Sequence, residues 1–317
     1  MPYTLNFKST VNNLIGLSFF GLVTAIALPA AAHSPLEGTW YNSYCSRMDI
    51  NVNADSGEIS GVYTSHTGST GTAVLTGYVD PNAVADQSEK PEGIPVSIGI
   101  QWRLINVDVP DNSWHWVSAY AGQYHPAQTV RAGGQYDYQI PETIEILNGL
   151  YASATLSQLA ETAPVMLPQT LRFTRNAEAY CQSVEPAKPV EYKPTADDNV
   201  SGIWISEDGK IELELIADRD TGSVHGTAII ENNRGFVVKG LFDTLKPENT
   251  AEVPEQALSL AVYDENSNEL YNMTGGVFYN NSEEMELWIG KLEKTTWTNR
   301  FIQQALDKQL FMKAHRD

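Results

Sequence analysis

The sequence predicts an all-β protein: two eight-stranded antiparallel up-and-down β-barrels joined by a linker. Three observations carry that expectation. Apolar and polar residues alternate in short runs, as in MDINVNADSGEISGVYTS, where Ile50 and Val52 share a face, Asp55-Ser56-Gly57 makes a turn, and Ile59, Val62 and Tyr63 open the next strand. Further runs (TAVLTGYVD, PVSIGIQWRL, HWVSAYAGQY, QTLRFTR) follow at the spacing of short antiparallel strands, and helical periodicity is scarce. Finally, the pattern is written twice. Gly38-x-Trp40 recurs as Gly202-x-Trp204, Gly57 and Gly61 as Gly222 and Gly226, and Gly77 as Gly240, at offsets of 164, 165, 165 and 163.

Along the chain, residues 1–32 read as a secretory signal peptide. Lys8 gives a small positive start, an apolar run follows from about Leu14 to Leu28, and Ala30 and Ala32 fit a small-residue cleavage site. The run is short and broken by Gly16, Ser18 and Gly21, which argues against a membrane anchor. A secreted or periplasmic protein is expected. Residues 33–175 form the first barrel, 176–199 a Pro-containing, charged, semi-extended linker, and 200–317 the second barrel. The stretch at 125–142 is longer than a hairpin needs; with Tyr136 and Tyr138 beside Gly133-Gly134 it reads as a flexible lid, a contact surface or a disordered insertion.

The formal charge is −19, and Lys8 is the one charged residue in 1–32, so the mature chain carries −20. Such acidity excludes nucleic acid and anionic membranes as expected partners, since both demand a basic surface. The six histidines are scattered, no His-Glu-x-x-His occurs and two cysteines do not make a zinc site, so no metal is expected. No catalytic residues stand out. The HTGSTG stretch around Ser69 is not Gly-x-Ser-x-Gly, and Asp55, Glu58, Asp218 and Asp220 fall in hairpin turns, where solvated residues are the simpler account.

The segment GTWYNSYCS places Asn42 and Ser46 around a turn. With ISGVYTS, VLTGYVD, IQWR, SAYAGQY and FTR in order after it, residues 36–175 resemble the avidin and streptavidin family. The resemblance is much weaker over 200–314. It implies a barrel holding biotin at one open end, as a bound ligand and not as a cofactor. Asn42, Ser46 and Tyr63 match the positions whose donors meet the ureido oxygen, and Ser65 matches the position accepting one ureido N–H. Trp102 and Tyr120 match aromatic walls, Ser118 matches a hydroxyl near the thioether sulfur, and Ser69 is a weaker contact for the valerate. Taken alone, Asn42 reads as a turn residue and Trp40 as core at the closed end.

The departures imply weaker binding. Leu171 stands where the family has a carboxylate for the second ureido N–H, with Gln169 the nearest polar residue. Residues 157–168 contain no capping Trp, Tyr151 is the nearest stand-in for a missing wall, and Trp116 stands where a small hydroxyl would hold the valerate. In the second repeat Ser206, Lys210 and Ala228 replace Asn42, Ser46 and Tyr63, Tyr263 is the nearest match to Trp102, and Gln309 falls at the carboxylate position. The second barrel is therefore expected to be structural, pairing with the first within the chain or in a homo-oligomer. The alternative function is an avidin-like scaffold with a non-biotin apolar ligand, or an inhibitor of a secreted enzyme. Because first and last strands of a closed barrel are neighbours, Cys45 and Cys181 can form a disulfide.

Overall fold

In a computed structural model the described residues are 34–66, 71–81, 93–104, 115–132, 136–152, 165–176, 181, 194–247, 249–250, 253–293 and 304–315. The expected signal segment lies outside them, as does most of the linker. The first barrel is built from β1 (Gly38–Asn42), β2 (Arg47–Val52), β3 (Glu58–Ser65), β4 (Gly71–Val79), β5 (Ile94–Leu104) and β6 (Trp116–His125). A two-stranded ribbon, β7 (Gln128–Ala132) and β8 (Tyr136–Ile140), interrupts it before β9 (Thr143–Ala152) and β10 (Val165–Thr174). All neighbours are antiparallel, and β10 returns to β1, with Asn42 opposite Phe173. The ribbon corrects the disordered reading of 125–142: Gln128 to Ala132 pair residue by residue with Ile140 to Tyr136.

The second barrel uses β11 (Gly202–Ser206), β12 (Ile211–Asp218), β13 (Ser223–Ile230), β14 (Asn233–Phe242), β15 (Glu255–Asp264), β16 (Glu269–Phe278), β17 (Glu284–Leu292) and β18 (Gln304–Ala314), closed in chain order. Closure pairs the first and last strands of each barrel with each other. No helix among the described residues is long and apolar enough to cross a membrane.

The repeated residues do the same work in both barrels. Trp40 and Trp204 are fully buried, and each donates its indole N–H at 2.8 Å to a carbonyl four residues earlier, Leu36 and Val200. Each ring is capped by a cation near the end of its barrel, Arg175 over Trp40 at 3.9 Å and Lys313 over Trp204 at 5.0 Å. The indole N–H is satisfied, so these large rings plug the closed ends without a stranded polar atom. Gly57 and Gly222 close equivalent hairpins at φ of 71° and 73°, where a side chain would be strained. Each accepts a backbone bond from the end of the second strand after it, Val79 N of β4 to Gly57 O and Phe242 N of β14 to Gly222 O, both at 2.9 Å.

The outer faces of β4, β5 and β6 pack on those of β14, β15 and β16. Tyr78 stacks on Tyr263 at 5.8 Å, and Val117 packs against Ala257 and Trp288. Polar pairs fix the register between these faces: Gln101 Nε2 donates to Phe242 O at 2.5 Å, Asn272 Nδ2 to Ser97 Oγ at 2.7 Å, and buried His115 Nδ1 meets Asp243 Oδ2 at 2.5 Å. Gly99 lets the sheets approach, since a Cβ there would lie 3.1 Å from Ser259 Oγ. Glu58 is not just a solvated turn residue: it begins β3 and forms an ion pair with Lys239 of the second barrel. Residues ahead of β11 are bound down as well, with the backbone N–H of Thr195 and Ala196 both donating to Thr244 O at 3.0 and 2.9 Å.

Cys45 and Cys181 are joined by a disulfide, with Cα atoms 4.9 Å apart. It ties the turn after β1 to the chain leaving β10, and Tyr41 packs against it.

Candidate functional site

The turn between β1 and β2 positions the first two polar residues. Asn42 Oδ1 accepts the N–H groups of Tyr44 and Ser46, both at 3.0 Å, while the backbones of Asn42 and Ser46 also bond at 3.1 Å. Cys45 sits between them at φ 61° and donates its N–H to Asn42 O at 3.1 Å. The Asn42 side chain thus serves both readings that its sequence left open. Its carbonyl builds the turn, which leaves its NH₂ to face the barrel interior.

That NH₂ meets the Tyr63 hydroxyl. Tyr63 reaches the interior from β3 and hydrogen-bonds the side chains of Ser46, Tyr120 and Asn42. Burial pushes the Tyr63 phenol above its ordinary pKa, and those hydrogen bonds pull it partly back. Burial holds the Tyr120 phenol well above its ordinary value, reinforced by Tyr63 beside it. Asn42, Ser46, Tyr63, Ser65, Trp102, Ser118 and Tyr120 are all buried.

The walls are aromatic. The Tyr63 ring stands edge-on to Trp102 at 5.4 Å, Tyr120 at 5.9 Å and Phe173 at 6.4 Å. Trp102 is held by donating its indole N–H to Ser118 Oγ at 2.8 Å. A bulge lets β5 present it: Val74 lies opposite Gln101, but Ala73 lies opposite Leu104. Ser65 follows Tyr63 by two residues on β3 and so shares its inward face. Leu171 is buried on β10, two residues beyond Phe173 in the direction in which β10 outruns β1. Gln169 is exposed, and opposite it in β9 is Asn148, which is itself opposite Tyr120. Trp116 packs half-buried against the core, and Tyr151 lies in β9 opposite Val117. Ser69 lies outside the described residues.

Of the eight predicted ligand residues, seven are described, and the structure gathers Asn42, Ser46, Tyr63, Tyr120, Trp102 and Ser118 into one connected group. Sequence reading missed Phe173 as a wall of this group, although its place opposite Asn42 follows once the barrel closes. It also treated Tyr120 as a wall alone, whereas its hydroxyl joins the polar group.

Residues 30–134 match a family model described as Avidin family. The matched part of the first barrel is avidin-like. All eight ligand candidates, including Ser69, fall inside the matched segment, while β9, β10 and the whole second barrel lie beyond it. No curated protein matches the chain. The avidin family is one of binding proteins.

The second barrel has no such group at the equivalent places. Ala228 and Ile230 occupy the Tyr63 and Ser65 positions inside an apolar core with Phe236 and Met273. Ser206 Oγ donates to Asp208 at 2.8 Å and accepts from Ile211 N at 2.9 Å, closing its own turn. Lys210 reaches solvent and pairs with Asp208 at 3.2 Å, which avoids a buried charge. Tyr263 corrects the expected match to Trp102: it points outward, stacked on Tyr78 between the barrels. Without a bulge in this part of β15, its residues run in straight register, with Phe236 opposite Asp264. A one-residue difference turns a side chain to the other face. Among the described residues no cluster of His, Cys, Asp and Glu could hold a metal ion.

Proposed function

We infer that the first barrel binds biotin or a biotin-like small molecule, more weakly than typical avidins, and that the second barrel is its structural partner. The observation that carries this is the convergence of Asn42, Ser46 and Tyr120 on the Tyr63 hydroxyl, inside aromatic walls. An amide NH₂ and three hydroxyls gathered in one buried group can turn donors toward a strongly polarised carbonyl oxygen. Each neutral bond contributes roughly 0.5–1.5 kcal/mol net, and more where the oxygen takes on negative charge.

Weaker binding follows from Leu171. An apolar side chain there supplies no charge-assisted bond, which is worth roughly 1.5–3 kcal/mol, or about one to two decades of affinity. Ligand binding rather than catalysis is the reading, with biotin as ligand and not cofactor. The acidic chain fits neither nucleic acid nor a membrane as partner. The Cys45–Cys181 bridge and the apolar start of the sequence support export, to the periplasm or outside the cell.

Calorimetric titration of residues 33–317 with biotin tests the proposal. Saturation near one biotin per chain, abolished by Asn42→Ala combined with Tyr63→Phe, is the expected result. Two per chain would show a working site in the second barrel. Absence of heat, together with no thermal shift at high biotin, would sink the reading.

A further inference from the structure

β14, β15 and β16 meet the first barrel, so β11 and its neighbours form the side of the second barrel turned away from it. Among the described residues five large apolar side chains are exposed, and four of them, Ile205, Ile216, Val237 and Met312, belong to the second barrel. Ile205 of β11 and Met312 of β18 stand directly opposite each other, 37% and 43% exposed. Half-buried Ile203 and Leu310, on the same outward alternation, lengthen this pair into a stripe two strands wide. Glutamates flank the stripe on both sides. On β12, Glu212 is opposite Ile205 and Glu214 opposite Ile203; on β17, Glu284 is opposite Met312 and Glu286 opposite Leu310. Glu286 is paired with Lys308 at 3.0 Å, but among the described residues no cation pairs with Glu212, Glu214 or Glu284. β12 and β17 are three strand intervals apart, which separates the two acidic columns by about 14 Å around the sheet.

The fold does not demand such a surface, because the first barrel does without it. With Trp40 and Trp204 as the common reference, Ile203, Ile205 and Met312 correspond to Thr39, Tyr41 and Thr174. Glu212 and Glu214 correspond to Arg47 and Asp49, which lie opposite Tyr41 and Thr39. In the first barrel the charges cancel: Arg47 Nε meets Asp49 Oδ2 at 2.8 Å, and Thr39 Oγ1 donates to Asp49 Oδ1 at 2.6 Å. The second barrel thus carries aliphatic groups where the first carries hydroxyls, and an acid where the first carries the arginine. An exposed apolar stripe rimmed by unpaired charge of one sign suits a contact surface for a partner of the other sign.

We propose that this face of the second barrel docks a cationic amphipathic helix of another protein, its apolar stripe on Ile205 and Met312 and its Lys or Arg residues on both flanks. A helix with its side chains is about 10–12 Å across, which fits between the two acidic columns. The barrel is closed, so the partner is held by side chains and not by an added strand. A second copy of this chain is the poorer occupant. A two-fold contact would set Glu212, Glu214 and Glu284 against glutamates of the other copy, in a chain whose formal charge is already −19. The docking face is independent of what the first barrel binds.

The probe is a fluorescent helical peptide of about 18 residues, with Leu on one face and Lys on both flanks, titrated against residues 33–317 by anisotropy. Saturation at one peptide per chain, weakening as salt rises, is the expected result. Ile205→Ser with Met312→Ser should weaken binding about tenfold or more. Glu212→Gln with Glu214→Gln should weaken it about threefold or more. Asp55→Asn with Glu265→Gln removes the same charge from exposed turns elsewhere and should change it by less than about twofold. All six positions are on the surface, and thermal unfolding checks that each variant keeps its barrels. Absence of binding overturns the proposal. Equal weakening by the Asp55 and Glu265 pair also overturns it, since the peptide then follows net charge alone. So does a dimer in sedimentation that Ile205→Lys dissolves, which would make the face an interface between copies.

Discussion

The hydroxyl of Tyr120 bonds to the hydroxyl of Tyr63, and their rings stand nearly perpendicular at 89° with centroids 5.9 Å apart. One phenol comes from β6 and the other from β3, so the bond crosses the barrel and not just a strand pair. It links the donors at the β1–β2 turn to the wall formed by Trp102 and Phe173.

Neither phenol should ionise in the folded protein near the ordinary tyrosine pKa. Burial raises both, so each binds its proton more tightly folded than unfolded. Their stabilising contribution is complete below the unfolded value of about 10 and is lost as pH rises through the folded values. Absorbance titration should show part of the tyrosine signal appearing only together with alkaline unfolding. Ionisation of every tyrosine near pH 10 with the far-ultraviolet spectrum unchanged would contradict this.

Removing the disulfide should loosen the site as well as the fold. It bridges residues 136 apart in sequence and one of its cysteines lies between Asn42 and Ser46. Cys45→Ser with Cys181→Ser is expected to cost about 2–4 kcal/mol in denaturant unfolding. The intact protein should yield no free thiol at these two residues under denaturing alkylation.

Asp243 is expected to matter more than its position between strands suggests. Its carboxylate meets His115 of the other barrel and accepts Leu245 N at 2.9 Å, all in buried surroundings. Asp243→Ala strands those donors, which should cost about 1–3 kcal/mol or more. Loss of a single cooperative transition in favour of two, one per barrel, is the calorimetric signature to look for.

At acid pH the β15–β16 turn should weaken. Burial alone would raise the Asp264 carboxyl, but bonds from Ser267, Asn233 and Asn266 lower it to about 2. A depressed folded value gives stability that is present above the unfolded value of about 4 and is lost as pH falls toward 2. Between those limits the unaltered protein should lose roughly 1–2 kcal/mol that Asp264→Ala does not. An equal acid slope in both proteins would argue against the assignment.

Much of this was legible in the sequence because period-2 alternation separates inside from outside. It placed Trp40, Tyr63 and Trp204 within barrels, and the spacing of repeated glycines located both hairpins. The family resemblance supplied the polar end of the site. Alternation does not say what an outward residue meets, so Gln101, Ser97 and Asp243 gave no sign that they join partners 128 to 175 residues away. Nor does it reveal a bulge, which is why Tyr263 was matched to Trp102 although the two point to opposite sides of their sheets.

Joining both barrels in one chain frees their shared face from symmetry. In a two-fold homodimer every substitution at the contact is made twice, and each must suit its own copy. Here Gln101 reaches the Phe242 carbonyl with no obligation on the residue that takes its place in the other barrel. Each side can therefore change alone: one barrel can give up its polar mouth for an ordinary core while the other keeps it, and the pair still fits.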